Sequence, residues 1–184
     1  LSLALPDYDH VRDLMTGRVT AEGLTLACLT LPVEEIFYRF LMHREFDIAE
    51  VSFAKYAALR AEGNDSLMAL PVFPSRVFRH GYIYINRKAG IRTPKDIAGK
   101  RIGVPLYTMT AGVWIRGHLT HQYGVDLFGC RWVEGAINHA GSHGHPSAPP
   151  LLKAVEVERD PQGRSLSELL AKGEIDVIMG TQHP

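Results

Sequence analysis

Short apolar runs and apolar positions at helical spacing alternate along the first third of the chain. Residues 1–5, 23–29 and 47–52 are runs with the length of buried strands. Helices are expected over residues 10–17 and 53–63, each of which ends at a glycine. Another helix is indicated by five apolar residues behind a proline, namely Val33, Ile36, Phe37, Phe40 and Leu41. This alternation predicts an α/β fold with a mainly parallel sheet, in which ligands gather beyond the carboxyl ends of the strands.

The same alternation continues through the rest of the chain. Apolar runs predict six further strands, over residues 68–73, 82–86, 101–104, 130–134, 151–157 and 175–179. A helix from Thr110 that Gly124 ends is expected to carry one apolar face, made of Ala111, Trp114, Ile115, His118 and Leu119. A last helix begins at Ser165, has Glu168 at the spacing of a capping box, and ends at Gly173.

Composition limits the classes of partner. The chain has 184 residues, 46% of them hydrophobic and 22% charged, as in ordinary globular proteins. Twenty basic and twenty acidic residues cancel, so neither nucleic acid nor a membrane is indicated as a partner. No apolar run approaches the roughly 20 residues that cross a bilayer, and no signal peptide is recognisable. A cytoplasmic protein with Cys28 and Cys130 as buried free thiols is expected, although the chain starts at Leu1 and a processed N-terminus stays open.

Three imidazoles and an amide lie in a glycine-rich segment, residues 135–150, that has neither helical nor strand spacing. A loop of this length is usually functional or disordered, and histidines are not typical of disorder. His139, His143 and His145 can supply three ligands to a metal ion and leave a position open for substrate. They can also transfer protons or bind substrate without a metal, with Asn138 as a further contact. An inert surface loop is the third alternative.

Two guanidinium groups and another imidazole stand within five residues, at Arg76, Arg79 and His80. Arginine binds carboxylates through two parallel hydrogen bonds, so this cluster suits a dicarboxylate, with surface solvation as the alternative. His80 is therefore a fourth catalytic candidate beside the three histidines of the loop.

Four further side chains lie at strand ends, where ligands of α/β proteins gather. Thr108 and Thr110 precede a helix whose free backbone amides favour an anion, so they either cap the helix or contact the ligand. Glu50 and Ser52 end the third predicted strand. For this pair, substrate contact and a structural role, as an ion pair and a helix cap, are both open.

Several segments resemble those of known proteins. Residues 94–104, PKDIAGKRIGV, are similar to a pattern shared by many periplasmic-binding-protein type II folds, including receptors of ABC transporters. Residues 110–117, TAGVWIRG, and residues 138–146, NHAGSHGHP, resemble the narrower 4,5-dihydroxyphthalate decarboxylase family. Together with residues 79–86, RHGYIYIN, the resemblance runs over nearly the whole chain.

The resemblance implies a two-lobed fold of the periplasmic-binding-protein type II kind, with mixed sheets flanked by helices and a ligand cleft between the lobes. Lobe one would comprise residues 1–81 and lobe two residues 82–180. Residues 181–184 would begin the return to lobe one. Because members of the family are longer and finish lobe one with C-terminal helices, the chain is expected to be truncated at its C-terminus.

The implied reaction is decarboxylation of a hydroxylated aromatic dicarboxylate such as 4,5-dihydroxyphthalate. A hydroxyl para to the departing carboxylate pushes electron density into the ring, the ring carbon takes a proton, and CO2 leaves as aromaticity returns. The reaction needs a proton donor, a base or metal for the hydroxyl, and cations that hold the second carboxylate. No cofactor is certain, and a divalent metal stays an open alternative.

The partner implied is a small aromatic carboxylate, and a homo-oligomer is compatible with the sequence. The alternative function is that of a solute-binding receptor of an ABC-type transporter, which would bind a small carboxylate in the same cleft without chemistry. The number of imidazoles, each able to titrate near neutral pH, favours the enzyme.

Overall fold

The computed structural model describes residues 1–143 and 155–184. The chain divides into two compact units, Leu1–Arg76 and Val77–Pro184. Both are α/β, with sheets flanked by helices, as the alternation of patterns predicts. Within the described residues, no helix is long and apolar enough to cross a membrane.

The first unit is built on a three-stranded parallel sheet with the strand order β2-β1-β3. Its elements in chain order are β1 (Ser2–Leu5), a 3-10 turn (Asp9–Val11), α1 (Arg12–Met15), β2 (Ala27–Thr30), α2 (Val33–His43), β3 (Ile48–Ala49) and α3 (Phe53–Ala61). Ile36 and Phe40 from the predicted stripe of α2 pack against Ala4 of β1 and against Phe46. The helical spacing therefore located the core of this unit.

The strand predicted over residues 68–73 is wrong. The structure describes these residues as irregular chain, and the amide of Val72 donates to the carbonyl of Leu70 in a local turn. Met68 is 90% exposed, so this apolar run is not buried in a core. Pro71 and Pro74 also lack the N–H that a strand ladder requires.

The second unit contains a mixed five-stranded sheet with the order β4-β8-β5-β6-β7, in which only β4 is antiparallel to its neighbour. Its regular elements in chain order are a 3-10 turn (Arg79–Tyr82), β4 (Ile83–Ile85), a 3-10 turn (Pro94–Ile97), β5 (Arg101–Val104), α4 (Thr110–Tyr123), β6 (Arg131–Glu134), β7 (Val157–Arg159), α5 (Leu166–Lys172) and β8 (Val177–Met179). The strand predicted over residues 151–157 is thus displaced toward the C-terminus, and residues 151–154 lie outside the described residues.

The sheet of the second unit packs helices on both faces. Ile102 and Val104 of β5 lie with Ile115 and Leu119 of α4 in one cluster. On the other face, Gly103 allows α5 to approach, since a Cβ there would lie only 2.7 Å from Ile175 Cδ1 and 3.1 Å from Leu166 Cδ2. Packing on both faces holds β5 and β6 in place, and the segments that line the cavity described below follow their carboxyl ends.

Several local predictions need correction. Ala111, Ile115 and Leu119 are buried as predicted, but Trp114 is 50% exposed and its ring stacks on His118 at the edge of the apolar face.

Ser165 caps α5 by accepting the Glu168 amide, whereas the Glu168 carboxylate pairs with Lys172 one turn later. The cysteines are free, with Cys130 buried but Cys28 only half-buried because β2 is the edge strand of its sheet.

Candidate active site

A cavity of about 180 Å³ lies at the carboxyl ends of β5, β6 and β7 in the second unit. Parallel neighbours end at the same edge, so residues distant in sequence meet there. The lining comes from four segments and consists of Pro105, Leu106, Glu134, Gly135, Gly141, Ser142, His143, Arg159, Asp160, Gly163 and Arg164. The cavity thus combines one imidazole with two guanidinium groups and two carboxylates.

Glu134 links two sides of this cavity. As the last residue of β6, it accepts a hydrogen bond from the Tyr107 amide at 2.7 Å through Oε1. Its Oε2 lies 3.5 Å from Nη2 of Arg159, the last residue of β7. The Arg159 side chain remains largely exposed, so its guanidinium has room to bind a second carboxylate.

Arg164 holds the segment that follows β7. Its guanidinium donates to Asp160 at 2.7 and 3.1 Å and to Glu174 at 2.6 and 2.7 Å. The Gly141 amide in turn donates to the Gly163 carbonyl at 2.9 Å. The described part of the histidine loop is therefore anchored to this charged cluster.

Replacing Arg164 with methionine is expected to lower the melting temperature most at neutral pH. Hydrogen bonds from Arg164 lower the pKa of Asp160 to about 2. A carboxyl group with a lowered folded-state pKa contributes stability above its unfolded-state pKa of about 3.9. That contribution is lost as the pH falls toward 2.

The difference in melting temperature between the wild type and Arg164→Met should therefore be constant above about pH 5 and should shrink below pH 4. Thermal unfolding from pH 2.5 to 7 measures it. Lys172→Met, which removes the exposed pair with Glu168, is the control and should change little. A difference that stayed constant down to pH 2.5 would contradict the assigned role of Asp160.

The histidines of the loop occupy different environments. His143 is half-buried and lines the cavity. His139 is exposed, with Nδ1 3.1 Å from the Ala140 carbonyl oxygen. His145 lies outside the described residues. In residues 1–143 and 155–184, no group of three His, Cys, Asp or Glu side chains could hold a metal ion.

Asn138 and His80 have partners of their own. The Asn138 amide donates to the His183 carbonyl at 2.7 Å and accepts the Ser167 hydroxyl at 2.7 Å. The His80 ring stacks on His118 with ring centres 4.8 Å apart. Each of these two candidates therefore also packs or bonds within its own unit.

The two arginines of the predicted cation cluster fall into different units. Arg76 is exposed and is the last residue of the first unit. Arg79 is half-buried in the second unit, where its guanidinium lies 5.7 Å from the ring centre of Tyr82.

Neither threonine caps α4 with its side chain. Met109 occupies the N-cap position, and Thr110 is the first helical residue. Thr108 Oγ1 is buried and has no hydrogen-bond partner in the described part of the chain. The capping alternative is therefore wrong, because the N-cap position lies between the two threonines, at Met109.

Glu50 and Ser52 lie at the carboxyl edge of the sheet in the first unit. The Tyr8 hydroxyl donates to Glu50 at 2.9 Å, so the partner of this carboxylate is a phenol rather than the expected cation. Burial raises the pKa of Glu50, and burial together with Glu50 raises the pKa of Tyr8 to about 12. Ser52 is buried and occupies the N-cap position of α3, as its structural alternative expects, but its side chain accepts no capping hydrogen bond.

Comparison with known proteins identifies the family. No family model matches the chain. The 4,5-dihydroxyphthalate decarboxylase of Comamonas testosteroni is 39% identical over all 184 residues, and the enzyme of the same name from Pseudomonas putida is also 39% identical over all 184. The chain spans 56% of the length of the first relative and 71% of the second. The chain belongs to the 4,5-dihydroxyphthalate decarboxylase family.

Membership of the 4,5-dihydroxyphthalate decarboxylase family confirms the resemblance drawn from the sequence segments. Residues 110–117 form the first two turns of α4, and the described part of the segment 138–146 ends in the cavity wall. Sequence reasoning missed Glu134, Arg159, Asp160 and Arg164. The positions of Glu134, Arg159 and Asp160 at or directly after the ends of β6 and β7 were the available signal, but β7 was predicted too early in the chain.

Proposed function

We propose that the protein decarboxylates 4,5-dihydroxyphthalate or a closely related hydroxylated aromatic dicarboxylate. The single observation that carries this proposal is the 39% identity, over all 184 residues, with two enzymes of that name. The names of these relatives favour a carboxy-lyase over the receptor of an ABC-type transporter. Since the chain spans little more than half of the first relative, the activity of the whole protein is itself part of the proposal.

The proposed architecture is a two-lobed fold of the periplasmic-binding-protein type II kind, with residues 1–81 in lobe one and 82–180 in lobe two. Two compact α/β units and a cavity of about 180 Å³ at a carboxyl sheet edge support it. The free thiols of Cys28 and Cys130 suit the reducing cytoplasm, which we propose as its location.

The cavity offers groups for each step of the reaction. An imidazole at His143 can deliver the proton to the ring carbon that loses CO2, because histidine exchanges protons near neutral pH. Arg159 can bind the carboxylate that stays on the ring. Glu134, which already accepts one N–H, places a negative charge where it can draw the proton from the para hydroxyl.

The direct test is incubation of the purified protein with 4,5-dihydroxyphthalate. We expect CO2 and 3,4-dihydroxybenzoate in equal amounts. Phthalate is the matched control, since it has both carboxylates but no hydroxyl that could push electrons into the ring. Binding of 4,5-dihydroxyphthalate without any release of CO2 would overturn the enzyme and leave the receptor.

Arg79 and Thr110 are expected to contribute to substrate affinity. The proposal places a half-buried guanidinium and the first residue of α4 at the substrate carboxylates. Loss of one charge-assisted contact costs about 1.5 to 3 kcal/mol, so Arg79→Ala and Thr110→Ala should each raise the dissociation constant by about 10- to 100-fold. Titration calorimetry measures the change. Arg87→Ala, which removes an exposed cation after β4, is the control, and unchanged affinity in both test variants would refute the assignment.

A further inference from the structure

Arg116 of α4 is a half-buried cation that packs against two aromatic rings. Its guanidinium carbon lies 3.9 Å from the ring centre of Tyr107 and 5.6 Å from that of Trp132. The two rings themselves meet edge to face, with centres 5.1 Å apart. Cation–π contacts of this kind hold the guanidinium in place but do not neutralise its charge.

The charge of Arg116 has no carboxylate partner among the described residues. Its Nη1 and the Oγ1 of Thr108 are the two buried side-chain atoms for which the described chain offers no hydrogen bond. The residues between the two described ranges, 144–154, contain no Asp or Glu in their sequence. Burial lowers the pKa of Arg116, and its electrostatic interaction with Tyr107 partly offsets that effect.

The local backbone makes room for this group. Arg116 Nη1 lies beneath the turn between β5 and α4, because a Cβ on Gly112 would be 3.2 Å from Nη1, 3.7 Å from the Tyr107 carbonyl oxygen and 3.8 Å from that of Leu106. Leu106 also lines the cavity. The turn that covers Arg116 Nη1 therefore also supplies one residue of the cavity lining.

A half-buried guanidinium whose Nη1 lacks a hydrogen-bond partner is unfavourable for folding, and this cost motivates a functional rather than a structural role for Arg116. We infer that Arg116 is a specificity-determining residue of the site proposed above, selecting doubly charged carboxylate ligands at the β5–α4 turn through its electrostatic field, an assignment that rests on the proposed function. Because Nη1 is buried, the field of the guanidinium acts across the turn rather than by direct contact with the ligand. The ligand class is an aromatic dicarboxylate.

The test is a set of binding titrations with three ligands that differ in charge. These are 4,5-dihydroxyphthalate with two carboxylates, 3,4-dihydroxybenzoate with one, and catechol with none. In Arg116→Gln the affinity should fall by about tenfold per carboxylate, as for unit charges about 10 Å apart at an effective dielectric constant of about 20. Catechol binding should not change. Arg116→Lys, which retains the charge, should recover most of the loss.

Arg131→Gln is the matched control, since it removes an exposed cation at the amino end of β6. Equal losses for all three ligands would mean that Arg116 only supports the structure, and no loss would mean that it has no role; both outcomes overturn the inference. If Arg116→Gln fails to fold, Arg116→Met retains the packing against Tyr107 and takes its place. CO2 release is measured in a separate assay. If the loss of affinity in Arg116→Gln increases with the charge of the ligand but no CO2 is released, the proposed reaction is overturned and the role of Arg116 stands. If CO2 is released but the loss of affinity does not depend on ligand charge, the role of Arg116 is overturned and the reaction stands.

Discussion

Replacing Ile178 with alanine should lower the free energy of unfolding of the second unit by about 3 kcal/mol, as expected for a large-to-small change in a packed core. Ile178 is fully buried on β8, a strand that pairs with both β4 and β5. It packs with Ile137, at the start of the histidine loop, and with Leu166 of α5. Denaturant unfolding followed by circular dichroism measures the change.

The same substitution at Ile85 is the matched control. Ile85 lies on the neighbouring strand β4 and is 40% exposed, so the loss there should stay below about 1 kcal/mol. Equal losses at the two positions would mean that the second face of the sheet is not packed as described. Since Ile178 touches the base of the histidine loop, its variant should also weaken ligand binding.

The largest effect on activity is expected for His143→Asn. We propose His143 as the proton donor because, of the two loop histidines that the structure describes, it is the one that lines the cavity. Loss of a general acid typically lowers kcat by about 10²- to 10⁴-fold, while the KM changes little if binding is unaffected. Steady-state release of CO2 measures both constants.

Variants of three other histidines are compared with His143→Asn. His139→Asn, at an exposed position of the same loop, should have the smaller effect, and His145→Asn completes the series. His121→Asn, at an exposed position of α4, is the control outside the loop. Each variant is assayed with and without a chelator. If the chelator abolishes the activity of the wild type, the loop histidines bind a metal ion instead of transferring a proton directly. If all three loop variants are fully active, the loop has no part in the mechanism.

Elements that bury an apolar stripe near a capping residue or glycine could be predicted from the sequence. Strand β5 has the predicted bounds, and α4 ends at Gly124, whose positive φ of 65° closes the helix. The prediction of a strand over residues 68–73 failed because an apolar run indicates a segment that can be buried but not whether a partner strand exists. Pro71 was a local signal against the strand, whereas the absence of a partner strand is a tertiary property that the local sequence does not contain.

The candidate site was predictable only in part, for a related reason. His143 was recognised because three imidazoles stand together in sequence. Glu134 and Arg159 were not, since they are 25 residues apart and meet only where two parallel strands end. Arg116 lay within a recognised segment, yet its importance depends on the absence of a nearby carboxylate, which requires coordinates to establish.

The position of β8 has a consequence for the order in which the second unit can assemble. This strand follows the other four in sequence but lies between β4 and β5, and its pairing of Val177 with Ile85 closes a loop of about 90 residues. On a ribosome, β4 and β5 therefore leave the exit tunnel with open edges and cannot pair with each other across the gap. Until residues 177–179 emerge, the unit presents two unpaired strand edges to its neighbours, a condition that favours aggregation of nascent chains.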